Sequence, residues 1–186
     1  MTRALIVIDV QESFRARPEW AGINNPRITD QVNRLLRLAR DAGDTVVWVL
    51  HSEPGSGDVF DPALGQVRLM AELEPDDGDL LIHKTSHNAF TTTNLQQELT
   101  LRGVSELTVC GIRTEQCVET TTRVGSDLGY TVTFVTDATA TDAITRDGVT
   151  LSAEEITRRT EFVLADRFAT IATVDELERR AAEEAR

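Results

Sequence analysis

The sequence predicts a single α/β domain of three layers, in which a parallel sheet of about six strands carries helices on both faces. Apolar runs of strand length alternate with helical patterns along the whole chain. The first run, residues 4–8, is continuously apolar and rich in β-branched side chains, which is typical of a strand buried on both faces. The 186 residues contain no linker, repeat or low-complexity segment, so we expect one domain spanning residues 1–186.

The later elements follow from periodicity and from turn and cap residues. Five further strands are predicted, at residues 45–50, 79–84, 107–112, 130–135 and 168–172. Apolar residues at helical spacing predict helices between them, and glycines end three of these helices, at Gly43, Gly103 and Gly129. Capping boxes predict three helix starts, which are Thr93 with Gln96, Ser152 with Glu155 and Thr173 with Glu176.

Composition narrows the class of protein. Hydrophobic content of 40% and charged content of 27% are typical of a globular chain. A net charge of −12 argues against nucleic acid or an anionic membrane surface as a partner. The sequence shows no apolar run long enough to cross a bilayer and no signal-peptide pattern, and its two cysteines are too few for a disulfide framework. We therefore expect a reduced, cytoplasmic protein.

The residues around Cys117 are the clearest candidate for chemistry. A strand, a tight turn at Gly111 and a helix capped by Thr114 are predicted in that order, so Cys117 falls in the first helical turn. This end of a helix carries partial positive charge and unpaired N–H groups. We expect a thiol there to have a lowered pKa and the N–H groups to hold a developing oxyanion. Cys110 lies in the middle of the predicted strand, and we expect its thiol to pack in the core without reacting.

Two further candidates also follow predicted strands. Asp9 comes directly after the first strand, and Lys84 lies at the end of the third. The carboxyl ends of parallel strands share one edge of a sheet, so Asp9, Lys84 and Cys117 can converge there. Cys117 would be the nucleophile and Lys84 the cation that favours its thiolate. Asp9 would accept the thiol proton and return it to the leaving amine.

The sequence resembles the isochorismatase-like cysteine hydrolases, which include nicotinamidases and N-carbamoylsarcosine amidases. Three motifs in order, and a later Asp-Ala pair, carry the resemblance over nearly the whole chain. They are Asp9, Gln11 and Phe14; Lys84, Asn88-Ala89-Phe90, Thr93 and Leu95; Gly111, Thr114, Cys117 and Val118; and Asp137-Ala138.

The resemblance implies a Rossmann-like fold and a catalytic triad of Asp9, Lys84 and Cys117. It also implies a non-proline cis peptide between Ile112 and Arg113, with the N–H groups of Arg113 and Cys117 forming the oxyanion hole. The implied reaction is attack on an amide carbonyl of a small molecule, release of amine or ammonia, and hydrolysis of the thioester. Assembly as a homo-oligomer, a dimer or tetramer, is implied as well.

This chain departs from the family pattern in two places. Arg113 stands where family members often have a small residue, and its side chain either enters the pocket or binds an anion, or points to solvent. The metal-binding nicotinamidases have an Asp-x-His and further histidines after the second strand, whereas this loop has His51, Ser52 and Glu53 with no second histidine before His83. We therefore expect no metal and no cofactor, and nicotinamide is a disfavoured substrate.

Five residues are candidates for the pocket wall, and two other functions stay open. The pocket candidates are Gln11, Phe14, Trp20, His51 and Phe90, although core packing is favoured for the aromatic members. One alternative function is hydrolysis of a vinyl ether, as in isochorismatase itself, which uses no cysteine nucleophile. The other is a thiol sensor or binding domain that turns nothing over.

Overall fold

A six-stranded parallel sheet forms the centre of the computed structural model, which describes residues 2–184. Met1 and residues 185 and 186, at the ends of the expected domain, lie outside the described residues. The strand order is β3-β2-β1-β4-β5-β8, and a separate two-stranded antiparallel hairpin is made of β6 and β7. The strands are β1 (Thr2–Ile8), β2 (Thr45–His51), β3 (Leu80–Lys84), β4 (Val104–Ile112), β5 (Thr131–Ala140), β6 (Ile144–Arg146), β7 (Val149–Leu151) and β8 (Thr170–Ala172).

Helices cover both faces of this sheet. They are α1 (Glu12–Arg15), α2 (Ile28–Asp41), α3 (Leu95–Leu101), α4 (Glu119–Asp127), α5 (Ala153–Leu164) and α6 (Val174–Glu184), with short 3₁₀ turns at Pro18–Gly22 and Pro62–Leu64. Side chains alternate along β1, so that Ile6 and Ile8 enter one core with α3 and α5, while Leu5 and Val7 enter the other with α2. The predicted three-layer fold is therefore confirmed.

Differences from the predicted elements lie in strand lengths, turns and caps. β4 begins at Val104 rather than at residue 107, and β5 runs to Ala140 rather than ending at residue 135. Ser152 and Glu155 form the expected reciprocal capping box at the start of α5. Thr93 does not cap α3 with Gln96, because its hydroxyl instead accepts from the N–H of Leu95 and donates to the carbonyl of Ala89. The hairpin of β6 and β7 was not predicted.

Strand order places a crevice beside β1. Because β2 lies on one side of β1 and β4 on the other, the connections after β1 and β4 leave in opposite directions from the centre of the sheet. Ligands of open parallel sheets bind outside the carboxyl ends of the strands at such a point. The residues that follow β1 and β4, Asp9 and the turn of Cys117, flank this position.

Candidate active site

Asp9 ends β1 in an unusual backbone conformation. Its N–H still donates to the carbonyl of Val49 at 2.8 Å, but its φ of 54° lies in the left-handed region. Aspartate tolerates this region better than most residues, and such residues cluster at functional sites. The side chain is fully buried. The strand end therefore places a carboxylate in a dry environment beside β2 and β4.

Lys84 is the group that connects the candidate residues. It is the last residue of β3 and is fully buried. Its Nζ lies 2.8 Å from Oδ2 of Asp9 and donates to Sγ of Cys117 at 3.4 Å. A third contact, at 3.3 Å, joins Nζ to Nδ1 of His51. The structure thus brings Asp9, Lys84 and Cys117 together around one ammonium group.

The turn that carries Cys117 differs in detail from the predicted helix start. Residues Thr114–Val118 form a single π-helical turn, in which the N–H of Val118 donates to the carbonyl of Arg113 at 3.2 Å, and α4 begins only at Glu119. Thr114 is not the N-cap, because its hydroxyl donates to the hydroxyl of Thr139 on β5. Single π turns inside helices are frequent at functional sites.

The backbone that enters this turn carries the proposed oxyanion hole. The peptide bond between Ile112 and Arg113 is cis. The N–H of Arg113 donates to no acceptor among residues 2–184, so it is free for an external oxygen. Gly111, just before, is essential sterically: its φ is 129°, and a Cβ at this position would lie 1.9 Å from the carbonyl oxygen of Ile8. Close approach of β4 to the end of β1 therefore depends on glycine.

Burial dominates the electrostatics of the site. It raises the pKa of Asp9, against the effect of the Lys84 charge, which lowers it. Burial is also the largest cause that raises the pKa of the Cys117 thiol, the charge of Asp9 adds to it, and Lys84 opposes it. The expectation of a lowered thiol pKa is therefore wrong for this structure. Oδ2 of Asp9 lies 2.8 Å from Lys84 Nζ, whereas Oδ1 has no hydrogen-bond donor within the described part of the chain, so Oδ1 can take up a proton.

Gln11 and His51, two of the pocket candidates, are engaged within the protein. The amide of Gln11 is completely buried; it accepts from the N–H of His51 at 2.8 Å and donates to the His51 carbonyl at 3.0 Å. The His51 ring uses both nitrogens, with Nδ1 against Lys84 and Nε2 against Glu53 at 3.0 Å. The Gln11 side chain therefore connects the chain after β1 to the last residue of β2 and is not part of the pocket wall.

The aromatic candidates separate into two groups. Phe14 and Trp20 line a narrow cleft together with Arg17 and Arg113. Phe90 instead belongs to the core: its ring stacks on Tyr130 with centroids 6.0 Å apart, so it does not line the pocket. Phe90 is therefore removed from the candidate wall, and the core packing that was favoured for it is confirmed, beneath α4.

Two residues of the loop after β2 were missed as neighbours of the site. Phe60 packs its ring edge-on against Phe14 at 5.1 Å and against His51 at 5.5 Å. Glu53 contacts the His51 ring. The His-x-Glu spacing of residues 51 and 53 was the only available signal for Glu53, and the irregular loop offered none for Phe60.

Arg113 lines the cleft of Phe14 and Trp20, and its charge is paired within the protein. Its guanidinium is mostly buried and lies 3.2 Å from a carboxylate oxygen of Glu115 and 2.8 Å from one of Asp142. It also donates to the hydroxyl of Thr141 at 3.3 Å. Two carboxylates already neutralise the cation, so it is neither an open anion site nor a solvent-directed side chain.

Residues 2–184 contain neither a metal-binding cluster nor a membrane-spanning helix. No group of three or more His, Cys, Asp or Glu side chains in this range is arranged to hold a metal ion. No helix in the same range is both long and apolar enough to span a membrane.

Comparison with known proteins identifies the family. Residues 3–176 match the isochorismatase domain family, so the chain belongs to the isochorismatase family and is a hydrolase of that family. Over 176 residues it is 32% identical to the uncharacterized isochorismatase family protein YrdC of Bacillus subtilis, covering 94% of each chain.

Two relatives carry more specific names. The chain is 34% identical to streptothricin hydrolase of Streptomyces noursei, covering 95% of this chain and 61% of that protein. It is 31% identical to the ureidoacrylate amidohydrolase RutB of Caulobacter vibrioides, covering 74% of this chain and 76% of that one.

Solved structures share the fold. An isochorismatase from Pseudomonas putida superposes with a TM-score of 0.85 at 32% identity, covering 94% of this chain and 89% of that one. A cysteine hydrolase from Pseudomonas syringae pv. phaseolicola superposes with a TM-score of 0.89 at 26% identity, covering 97% and 92%.

Proposed function

We propose that this chain is a cysteine hydrolase that cleaves an amide or another C–N bond of a small molecule through a thioester on Cys117. The observation that carries the proposal is the position of one buried ammonium, Lys84 Nζ, at 2.8 Å from Asp9 and 3.4 Å from Cys117. A nucleophile, a base and a cation in contact are what acyl transfer to a thiol requires. The names of the relatives ureidoacrylate amidohydrolase and streptothricin hydrolase support this class of reaction.

The proposed mechanism moves one proton between Cys117 and Asp9. As Sγ attacks the carbonyl carbon, Asp9 accepts the thiol proton, and Lys84 stabilises the negative charge on sulfur. The carbonyl oxygen becomes an oxyanion, held by the backbone N–H groups of Arg113 and Cys117. Asp9 then returns the proton to the leaving nitrogen, and the C–N bond breaks to give the thioester. In the second half Asp9 takes a proton from water, which attacks the thioester and releases acid and free thiol.

Intact-mass measurement tests the covalent step. A screen of small amides, ureides and lactams with ammonia release as the readout identifies a substrate. Rapid acid quench during its turnover should then reveal an acyl adduct on the native chain. Cys117→Ala should abolish both turnover and adduct while the circular dichroism stays native. Cys110→Ala is the matched control, because it removes the other thiol, which is fully buried in β4, and it should keep both. Full turnover by Cys117→Ala would contradict the proposal.

A vinyl-ether reaction is the second candidate, because one similar solved structure is described as an isochorismatase. It predicts pyruvate release from isochorismate, undiminished in Cys117→Ala. A thiol sensor fits the geometry less well. Redox-sensing thiols are accessible and have a lowered pKa. Cys117 is only 7% exposed, and its pKa is raised.

A further inference from the structure

The Lys84 ammonium has three N–H donors and three neighbouring acceptors. Two of these, Asp9 and Cys117, are the reacting groups of the proposed mechanism, and the third is Nδ1 of His51 at 3.3 Å. An ammonium group only donates hydrogen bonds, so Nδ1 must accept. A neutral ring with Nδ1 as acceptor carries its proton on Nε2. That nitrogen lies 3.0 Å from Oε1 of Glu53, which accepts this proton's hydrogen bond.

The position of the His51 ring is fixed from several sides. Gln11 holds both its backbone N–H and its carbonyl. The ring of Phe60 lies edge-on at 5.5 Å. Only 15% of the His51 side chain is exposed, whereas 47% of the Glu53 side chain is. Neither ring nitrogen is left for a substrate, so these contacts give His51 a role inside the site rather than on its wall.

We propose that His51 is a positioning residue that occupies the third donor of Lys84, and that Glu53 fixes the tautomer needed for this. The proposal rests on the proposed function for its catalytic meaning, because it assigns Lys84 the cationic role in that mechanism. With the third donor engaged, the two others stay directed at Asp9 and Cys117. Without the hydrogen bond to His51, the ammonium group can rotate at the end of the Lys84 side chain, and its contact with the Cys117 sulfur is weakened.

Alkylation of Cys117 by iodoacetamide tests this without any substrate. The rate at a fixed pH of 8 is followed by mass mapping of the peptide that contains Cys117, since alkylation reports the stabilised thiolate. His51→Leu removes the acceptor and should slow alkylation about tenfold, the effect of losing one charge-assisted hydrogen bond. His51→Asn should recover most of the rate, because its amide oxygen can stand near the place of Nδ1. His83→Asn, on the exposed side of β3, is the matched control and should alkylate like the native chain.

The outcomes separate positioning from packing. A structural role alone would slow His51→Leu and His51→Asn equally, so equal rates would overturn the proposal, as would a native rate in His51→Leu. Glu53→Ala changes an exposed side chain and gives a test should His51→Leu fail to fold. It should slow alkylation about threefold because the tautomer is no longer held, and a native rate would overturn the role of Glu53.

Turnover supplies an independent readout. With a substrate from the amide screen, His51→Leu should lower kcat and leave KM within about twofold, since His51 contacts Lys84 rather than substrate. A raised KM at native kcat would overturn the positioning role. Should no amide be hydrolysed at all, the proposed function fails while the alkylation series still decides the role of His51.

Discussion

Single residues set the chemistry of this site through the burial of charge. Asp9 and Lys84 are completely buried and Cys117 almost so. The pKa of both Asp9 and Cys117 is raised, because burial disfavours their anions more than Lys84 favours them. A thiol of raised pKa beside a carboxylate of raised pKa keeps its proton until attack begins. Proton transfer to Asp9 and bond formation by sulfur are therefore expected to occur together.

The pH dependence of activity follows from Asp9. The proposed mechanism needs its ionised form, so kcat/KM should fall on the acid side with a midpoint above the ordinary aspartate pKa of 3.8. The measurement is kcat/KM against pH for a substrate with no titrating group. A midpoint at or below 3.8 would contradict the assignment of Asp9 as the base. Asp9→Asn should remove turnover at every pH.

Stability against pH provides the control for that profile. A carboxyl group whose pKa is raised by folding contributes stability below its unfolded pKa and loses it as pH rises through the folded pKa. Protonation of Asp9 as the pH falls therefore stabilises the folded state relative to the unfolded state. Glu72 and Glu178, whose pKa values are lowered by Arg15 and Arg34, lose their contribution only as pH falls below about 4.5. Above pH 4.5 these two groups keep their full contribution, so any loss of activity in that range should occur without a fall in the thermal unfolding midpoint.

The convergence of the site residues at strand ends could be predicted from the sequence, whereas the side chains that pack around them could not. Parallel strands bring their carboxyl ends together, so Asp9, Lys84 and Cys117 could be expected to meet without knowledge of any loop. Phe60 and two partners of Arg113, Thr141 and Asp142, come from irregular segments, which have no periodicity from which to read a direction. Phe90 was a pocket candidate because its motif lies in a loop, but core packing was favoured for it, and its ring does enter the core.

At the scale of elements, the junction of β4 with the Cys117 turn determines whether the site forms. β1 and β4 pair as far as Ile8 and Gly111, and the next residues, Asp9 and the cis peptide, diverge into the site. The register with β5 shifts between Val109 and Gly111. The pairing of β1 with β4 at this point depends on a backbone approach that is closer than a side chain at position 111 permits.

Gly111→Ala should therefore be severely destabilising. Its Cβ would lie 1.9 Å from the carbonyl oxygen of Ile8, and the φ of 129° is unfavourable for any L-side chain. We expect a loss of about 3 kcal/mol or more in the free energy of unfolding, measured by urea denaturation. Gly78→Ala is the matched control: no atom lies within 4 Å of its Cβ, and the change should stay within about 0.5 kcal/mol. Near-native stability of Gly111→Ala would refute this account of the junction.

Capping residues predicted helix ends correctly where both hydrogen-bonding partners lie in the same helical turn. The Ser152–Glu155 capping box formed because both partners belong to the same helix end. The Thr114 cap did not, since Thr139 on a neighbouring strand takes its hydroxyl. The missed hairpin had a usable signal in Asp147-Gly148, both of which have positive φ as a type I′ turn requires. Competition from a tertiary partner, absent from a local pattern, explains the error at Thr114.

At the scale of the whole molecule, sheet topology brings side chains from distant parts of the chain into contact. β3, β1 and the turn after β4 supply Lys84, Asp9 and Cys117, and two of these strands flank the centre of the sheet. The hydrophobic cores on the two faces hold these strands in register. The site thus depends on the packing of the entire sheet, and no isolated segment could reproduce it.

Net charge is the property of the whole molecule with the most direct effect on stability. The chain carries 31 acidic and 19 basic side chains, so repulsion among the excess carboxylates destabilises the folded state at neutral pH. The Debye length shortens from about 30 Å at 0.01 M salt to about 8 Å at 0.15 M, which screens repulsion across the molecule. Ion pairs in contact, such as Arg34 with Asp175 at 2.6 Å, are screened less than distant charges.

Added salt should therefore raise the thermal unfolding midpoint at pH 7.5, by about 3 °C between 0.01 and 0.15 M NaCl. Near the sequence pI of 4.7 the net charge vanishes, and the gain should disappear or reverse, because only the weakening of favourable ion pairs remains. Differential scanning calorimetry at the two pH values makes the comparison within one protein. An equal shift at both pH values would mean that salt acts through ion binding or general solvent effects rather than through net repulsion. A lower midpoint at pH 7.5 would mean that the surface pairs outweigh the repulsion among the excess carboxylates.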